Sequence, residues 1–270
     1  MLHRGSGVGL SPVLLAGAKD ASHASLERLE HEYALRAELD ASWAARPIAL
    51  SRYNDRWTLV LEDPGGEPLD RLLDGPLEAR EFLQLAIPLT NALRQMHARG
   101  LIHKNIKPGN VLVRRATGGV WLTGFGIASR LPREHHPPAP PEVIAGTLAY
   151  MAPEQTGRMN RSVDSRSDLY SLGVSFYEML TGRLPFSAAD AMEWVHCHVA
   201  RQAAPPDEHV PEIPKVLSSI VMKLLAKTAR IDIKRPPASK PTCSAASPNG
   251  MRTAACPSFR SVVETYRTVC

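Results

Sequence analysis

Two short stretches carry the side chains that could do chemistry. The first is Leu101-Ile-His-Lys-Asn-Ile-Lys-Pro-Gly-Asn110; after two short apolar runs comes Thr123-Gly-Phe-Gly126. Lys107 is a compact cation suited to holding a phosphate oxygen. Asn110 offers a neutral carboxamide oxygen to a hard cation, a weaker ligand than the carboxylate such ions favour. Asn105 has the shape of an aspartate but cannot take a proton at neutral pH. Side chains of these types could hold phosphate and, weakly, a metal ion, and none of the three is an acid.

Composition sets the frame for those loops. The chain has 270 residues, 44% hydrophobic and 22% charged, enough for one two-lobed domain or two small ones. No apolar run approaches the roughly 18 residues of a membrane span, and Met-Leu-His-Arg-Gly lacks the basic-then-apolar order of a signal peptide. A cytoplasmic protein without a membrane span is expected. Seven of the 32 Lys and Arg and two of the 27 Asp and Glu lie in 230–270, so the net charge of +5 belongs wholly to that tail. The body is neutral, and no nucleic-acid partner is expected. Three of the four cysteines lie in the same tail without zinc-finger spacing. The neighbours His196-Cys197-His198 point in different directions on a helix, which argues against a metal site.

The elements that must position the loops follow from periodicity. Ser11–Ala16 reads as a strand, and 25–39 as a helix with Leu26, Leu29, Tyr33 and Leu39 at helical spacing. Pro47–Tyr53 and Arg56–Glu62 read as strands joined by the turn pair Asn54-Asp55. Asp63-Pro-Gly-Gly66 punctuates the chain and suits a hinge. Leu77–Ala98 is a long amphipathic helix with Phe82, Leu85, Ala86, Leu89, Leu93 and Met96 on one face; Pro88 predicts a kink or a later start. His135–Glu142 is Pro-rich and expected to be extended. Asp168–Leu180, Ala188–Val199 and Lys215–Thr228 read as helices. The order is a small part with strands, a hinge, then a larger helical part.

Over about residues 10–229 these motifs resemble the eukaryotic-type Ser/Thr protein kinase family. Beside the two loops stand Gly146-Thr147 and Ala152-Pro153-Glu154, Asp168-Leu-Tyr-Ser-Leu-Gly173, and Thr181-Gly-Arg-Leu-Pro-Phe186. Each is weak alone; the ordered set is specific. The wording of 103–110, 123–129 and 151–161 is similar to the N-terminal kinase-like domain of large bacterial hybrid sensor histidine kinases. The resemblance implies an α+β, two-lobed fold: an abbreviated N-lobe with a small mixed-β sheet (1–62), a hinge (63–66) and a larger helical C-lobe (67–229). It implies ATP and magnesium as cofactors if the domain is active.

The resemblance also assigns places. Asn105 stands where the catalytic base is an aspartate, and Gly124 stands at the metal-holding aspartate of the Asp-Phe-Gly motif, followed by Phe125 and Gly126. Lys107 and Asn110 are retained. His103 opens the catalytic loop, Asp168 holds its backbone, and Thr147 and Glu154 close the activation segment. Glu32 sits where a helix glutamate pairs a strand lysine, or is a solvated helix residue. Lys19, just past Val13-Leu-Leu-Ala16, fills the lysine's role only with a register shift and is otherwise a loop residue. Gly5-Ser-Gly-Val-Gly9 reads as a flexible terminus rather than a phosphate clamp, with too little chain for a hairpin over the phosphates. Loss of two acidic groups implies a pseudokinase with weak or absent nucleotide binding; the alternatives are an active kinase, with a carboxylate such as Glu134 deputising, or a scaffold that docks partners. Lys104 replaces an arginine that grips a loop phosphate, and Ser129 is the single hydroxyl between Gly126 and Thr147, so switching by loop phosphorylation is not expected.

The tail, 230–270, has no amphipathic period and reads as disordered. It also reads as a shifted frame. Arg230-Ile-Asp-Ile-Lys-Arg235 can be encoded so that one added nucleotide yields Glu-Asp-Arg-Tyr-Gln-Thr, which resembles the kinase continuation. The arginine so lost is the one that pairs with the glutamate at position 154.

Overall fold

The structure is a computed structural model that describes residues 2–5, 13–17, 22–53, 55–130, 148–159 and 161–227. Lys19, Glu134, the Pro-rich 135–142, Thr147 and the tail 230–270 lie outside the described residues.

The first half is built on a four-stranded sheet. Its strands are β1 (Leu2–Gly5), β2 (Val13–Gly17), β3 (Pro47–Tyr53) and β4 (Arg56–Glu62), in the order β1-β2-β4-β3 and antiparallel throughout. The register sets Leu14 opposite Leu61 and Ala16 opposite Leu59. Side chains alternate across a strand, so Leu14, Leu59 and Leu61 share the face that is buried. Helix α1 (His23–Ala34) covers that face through Leu29, which joins the same apolar cluster. Ser22 caps its start by accepting from the Ser25 N–H at 3.2 Å.

The second half carries the loops between small sheets and helices. Strands β5 (Glu67–Pro68), β7 (Val111–Arg114) and β8 (Gly119–Leu122) form one sheet; β6 (Leu101–Ile102) and β9 (Ser129–Arg130) form another. The helices are α2 (Ala79–Ala98), α3 (Ser165–Thr181), α4 (Ala191–Val199), α5 (Pro206–His209) and α6 (Lys215–Leu224). The apolar face expected of α2 is buried, and Phe82 meets Phe176 of α3 edge-to-face at 5.1 Å between ring centres. Helix α3 is buried nearly all round, as the apolar residues spread over all its faces require.

Hydrogen bonds are among the links that join the halves. Trp43 and Ala45 exchange backbone hydrogen bonds with Leu122 of β8 at 2.8 and 3.0 Å. Arg4 of β1 donates to the Asp63 carboxylate and, at 2.8 Å, to the Gly66 carbonyl. Among the described residues no helix is long and apolar enough to cross a membrane.

Several expectations need correction. Leu2–Gly5, not expected as a strand, pairs with Val13–Gly17; it is the one strand before Val13 among the described residues, and the edge of β2 supplies the backbone partners that its own composition gives no sign of. The first helix starts at His23 and passes into a 3-10 turn at Leu35–Ala37 instead of running to Leu39. Helix α6 stops at Leu224. Helix α4 starts only at Ala191, because Asp190 caps it by accepting from the Glu193 N–H.

Pro88 neither ends α2 nor delays it past this point. A proline there withholds one hydrogen bond from the Gln84 carbonyl, which lies on an exposed turn. Pro88→Ala is expected to raise stability by about 1–2 kcal/mol, read from the midpoint of urea unfolding at unchanged slope; a lower midpoint would mean that the ring packs well enough to outweigh the missing bond.

Candidate active site

The loop 103–110 hangs from one buried carboxylate. Asp168, fully buried near the start of α3, accepts the His103 N–H at 2.8 Å and the Lys104 N–H at 2.7 Å. It also accepts from His97 Nε2, in the last turn of α2, at 2.8 Å. Charge-assisted bonds of this kind are each worth roughly 1.5–3 kcal/mol. They hold Lys104 at φ 65°, a left-handed conformation that costs a residue with a side chain roughly 1–3 kcal/mol. Gln155 braces the turn from the other side: its amide donates to the Lys104 carbonyl at 2.8 Å and accepts the Ala152 N–H at 3.0 Å.

His103 is a structural pivot. The Asn105 N–H donates to its Nδ1 at 3.2 Å, so Nε2 carries the proton and donates to the Thr123 carbonyl at 3.0 Å. Burial pushes its pKa below the usual histidine value, so the ring stays neutral. Its face lies 4.6 Å from the Phe125 ring, which is fully buried and meets Trp43 edge-on. The two loops found in the sequence are thereby joined through one imidazole and one phenyl ring.

Asn110 and Gly124 come together. The Asn110 carboxamide donates to the Asn105 carbonyl at 2.8 Å, which turns its other face to Gly124. Gly124 has φ +79°, and a Cβ built on it would stand 2.9 Å from the Asn110 side chain. The space that an aspartate would need is therefore taken by Asn110. Gly126 is required for a second reason: a Cβ there would press on Arg28 of α1 at 3.0 Å, so α1 lies directly on the loop. Lys107 is half-buried on extended backbone.

Glu32 is not a solvated helix residue. It points inward from α1, is 5% exposed, and accepts the Gly124 N–H at 3.2 Å. Burial pushes its carboxyl up to about 7, against the pull of the Phe125 and Gly124 N–H groups. Among the described residues no lysine or arginine pairs with it. Next to it, the Thr123 hydroxyl is buried without a hydrogen-bond partner among those residues. Glu154 accepts the Ser167 hydroxyl at 2.6 Å. Ser129 is buried. His97, Gln155 and Thr123 carry no signal in the sequence pattern, since each acts only through contacts made across the fold.

The donors do not suit a magnesium ion. Asn110 offers a neutral oxygen, Glu32 spends its carboxylate on backbone N–H groups, and among the described residues no three His, Cys, Asp or Glu gather in metal-binding geometry.

Comparison with known proteins follows the same outline. The family described as Protein kinase domain matches residues 16–245. The serine/threonine-protein kinase Pkn1 of Myxococcus xanthus is 37% identical over 172 residues, covering 63% of this chain and 24% of the relative. A probable serine/threonine-protein kinase, PknB of Bifidobacterium longum, is 39% identical over 171 residues, with shares of 63% and 24%. The Myxococcus xanthus serine/threonine-protein kinase pkn2 is 34% identical over 216 residues, 78% of this chain and 25% of that one. The chain spans about a quarter of the length of these relatives.

Glu32 makes the site sensitive to pH. An acid whose folded pKa is raised from 4.5 to about 7 contributes stability that is fully present below pH 4.5 and is lost as pH rises through 7. Glu32→Gln removes that loss, so its stability relative to the unsubstituted protein should improve by roughly 3 kcal/mol between pH 4.5 and 8. Urea unfolding of both proteins across that range measures it; a constant difference would show that Glu32 titrates normally.

Proposed function

The chain belongs to the protein kinase family, and on that premise we propose that it is a bacterial signalling domain whose phosphate transfer is weak or absent. One observation carries the reading: Gly124 replaces the metal-holding aspartate, and the Asn110 carboxamide fills the space that its side chain would need. Asn105 adds to this, since it cannot accept a proton from a substrate hydroxyl. General-base catalysis is typically worth about 10²–10⁴-fold, or roughly 3–5 kcal/mol of barrier. Transfer of a phosphoryl group depends further on neutralising charge at the metal position. What the residues retain is the means to hold a loop: Asp168, His103 and Gln155 order the backbone, and Lys107 offers a phosphate contact. The wording of 103–110, 123–129 and 151–161 supports a place in a larger sensor protein, where such a domain would serve by docking partners or weakly binding ATP.

A second reading, an active Ser/Thr kinase using ATP and magnesium, draws on the relatives, which are named serine/threonine-protein kinases, and on Lys107 and Asn110 standing in place.

Radiolabelled ATP with magnesium and a generic acceptor protein separates the two. Transfer no higher than that of the Lys107→Ala and Asn110→Ala variants is expected. Robust incorporation that either substitution abolishes would establish the active reading instead.

A further inference from the structure

The apolar cluster that crosses between the two halves lies next to the loop. Leu14 of β2 is the cross-strand partner of Leu61 of β4, and both join Leu29, Leu59, Ala45 and Leu112 in one buried cluster. Leu112 belongs to β7, in the other half, two residues beyond Asn110. Leu61 directly precedes Glu62 and the connection through Gly66. Leu14 is 4% exposed, Leu61 and Leu112 each 1%. The seam between the four-stranded sheet and β7 is thus filled by leucine side chains of the chain itself. Ala16, on the same face of β2, packs at the cluster's edge, so neither inward position of that strand carries a cation.

Leu112 stands only two residues beyond Asn110, so this seam lies within a nucleoside's length of phosphates held at Lys107 and Asn110, and it is the apolar surface a base would use there. From this we infer that Leu14 occupies the place of a purine base, completing the apolar stack between the halves so that it needs no ligand. The inference rests on the reading of a domain with weak nucleotide binding and assigns its cause to one residue. The ligand class excluded is a planar purine nucleoside. Shortening Leu14 leaves an apolar gap bounded by Leu61 and Leu112, the kind of cavity that stays dry and accepts flat apolar ligands.

The probe is adenosine, which carries no phosphate and so reports on the seam alone. Leucine-methyl resonances of the unsubstituted protein should stay unmoved in millimolar adenosine. Leu14→Ala, and Leu14→Val where the larger cut unfolds the protein, should bind adenosine about tenfold or more tightly than the unsubstituted chain, seen by calorimetry and a rise in melting temperature. Shifts at Leu112 in the unsubstituted protein would overturn the inference whatever the variants do, as would folded variants that remain blind to adenosine. Adenosine binding without phosphate transfer would sink the filled seam while leaving the inactive reading intact.

Discussion

The structure turns on the Asp168 carboxylate. It sits inside the second half with three N–H donors around it, two from the backbone of one loop and one from the end of α2. Burying a charge is costly unless it is fully hydrogen-bonded, and this one is satisfied with the chain bent at Lys104 into a left-handed turn. Beside that bend the His103 ring reaches the Thr123 carbonyl and Asn110 ties back to the Asn105 carbonyl. The loop's shape is therefore set from below, by a helix residue, and does not depend on what a ligand would contribute from above.

This separation explains how a kinase-family domain keeps the architecture while losing the charges. The scaffold groups, Asp168, His97, His103 and Gln155, point into protein. On the proposed reading, the motif positions turned to a ligand, Asn105 and Gly124, are neutral. Such residues cost the fold little, because they enter the buried network only through their backbone groups. Glu32 is the exception. With no cation paired to it among the described residues, it turns to the Gly124 and Phe125 backbone and is held near its protonation point at neutral pH.

Much of the fold could be read from the chain because local rules and tertiary packing agree. β3 and β4 begin and end where alternation and the Asn54-Asp55 turn place them, with Asp55 at φ 59°. The apolar face of α2 is buried residue for residue as its period implies. β1 was illegible, since Leu2-His3-Arg4-Gly5 has no pattern of its own and is a strand only because β2 offers an edge. The site was legible as two motifs, but their juxtaposition through His103 and Phe125 is made across the fold. Glu32 was ambiguous because a helix glutamate looks the same in water or in a core; the close packing that buries it is signalled only by Gly126. Leu14 looked like any strand residue, and its place in one cluster with Leu112 exists only in three dimensions.

The central claim is that the loop persists without the means to hold a metal-bound nucleotide. Calorimetric titration of ATP, with and without magnesium, tests it most directly. The account predicts weak binding of similar strength in both conditions, from a phosphate contact at Lys107. Low-micromolar binding that requires magnesium would contradict it, since that would demand an anionic ligand where the structure places Gly124 and a carboxamide.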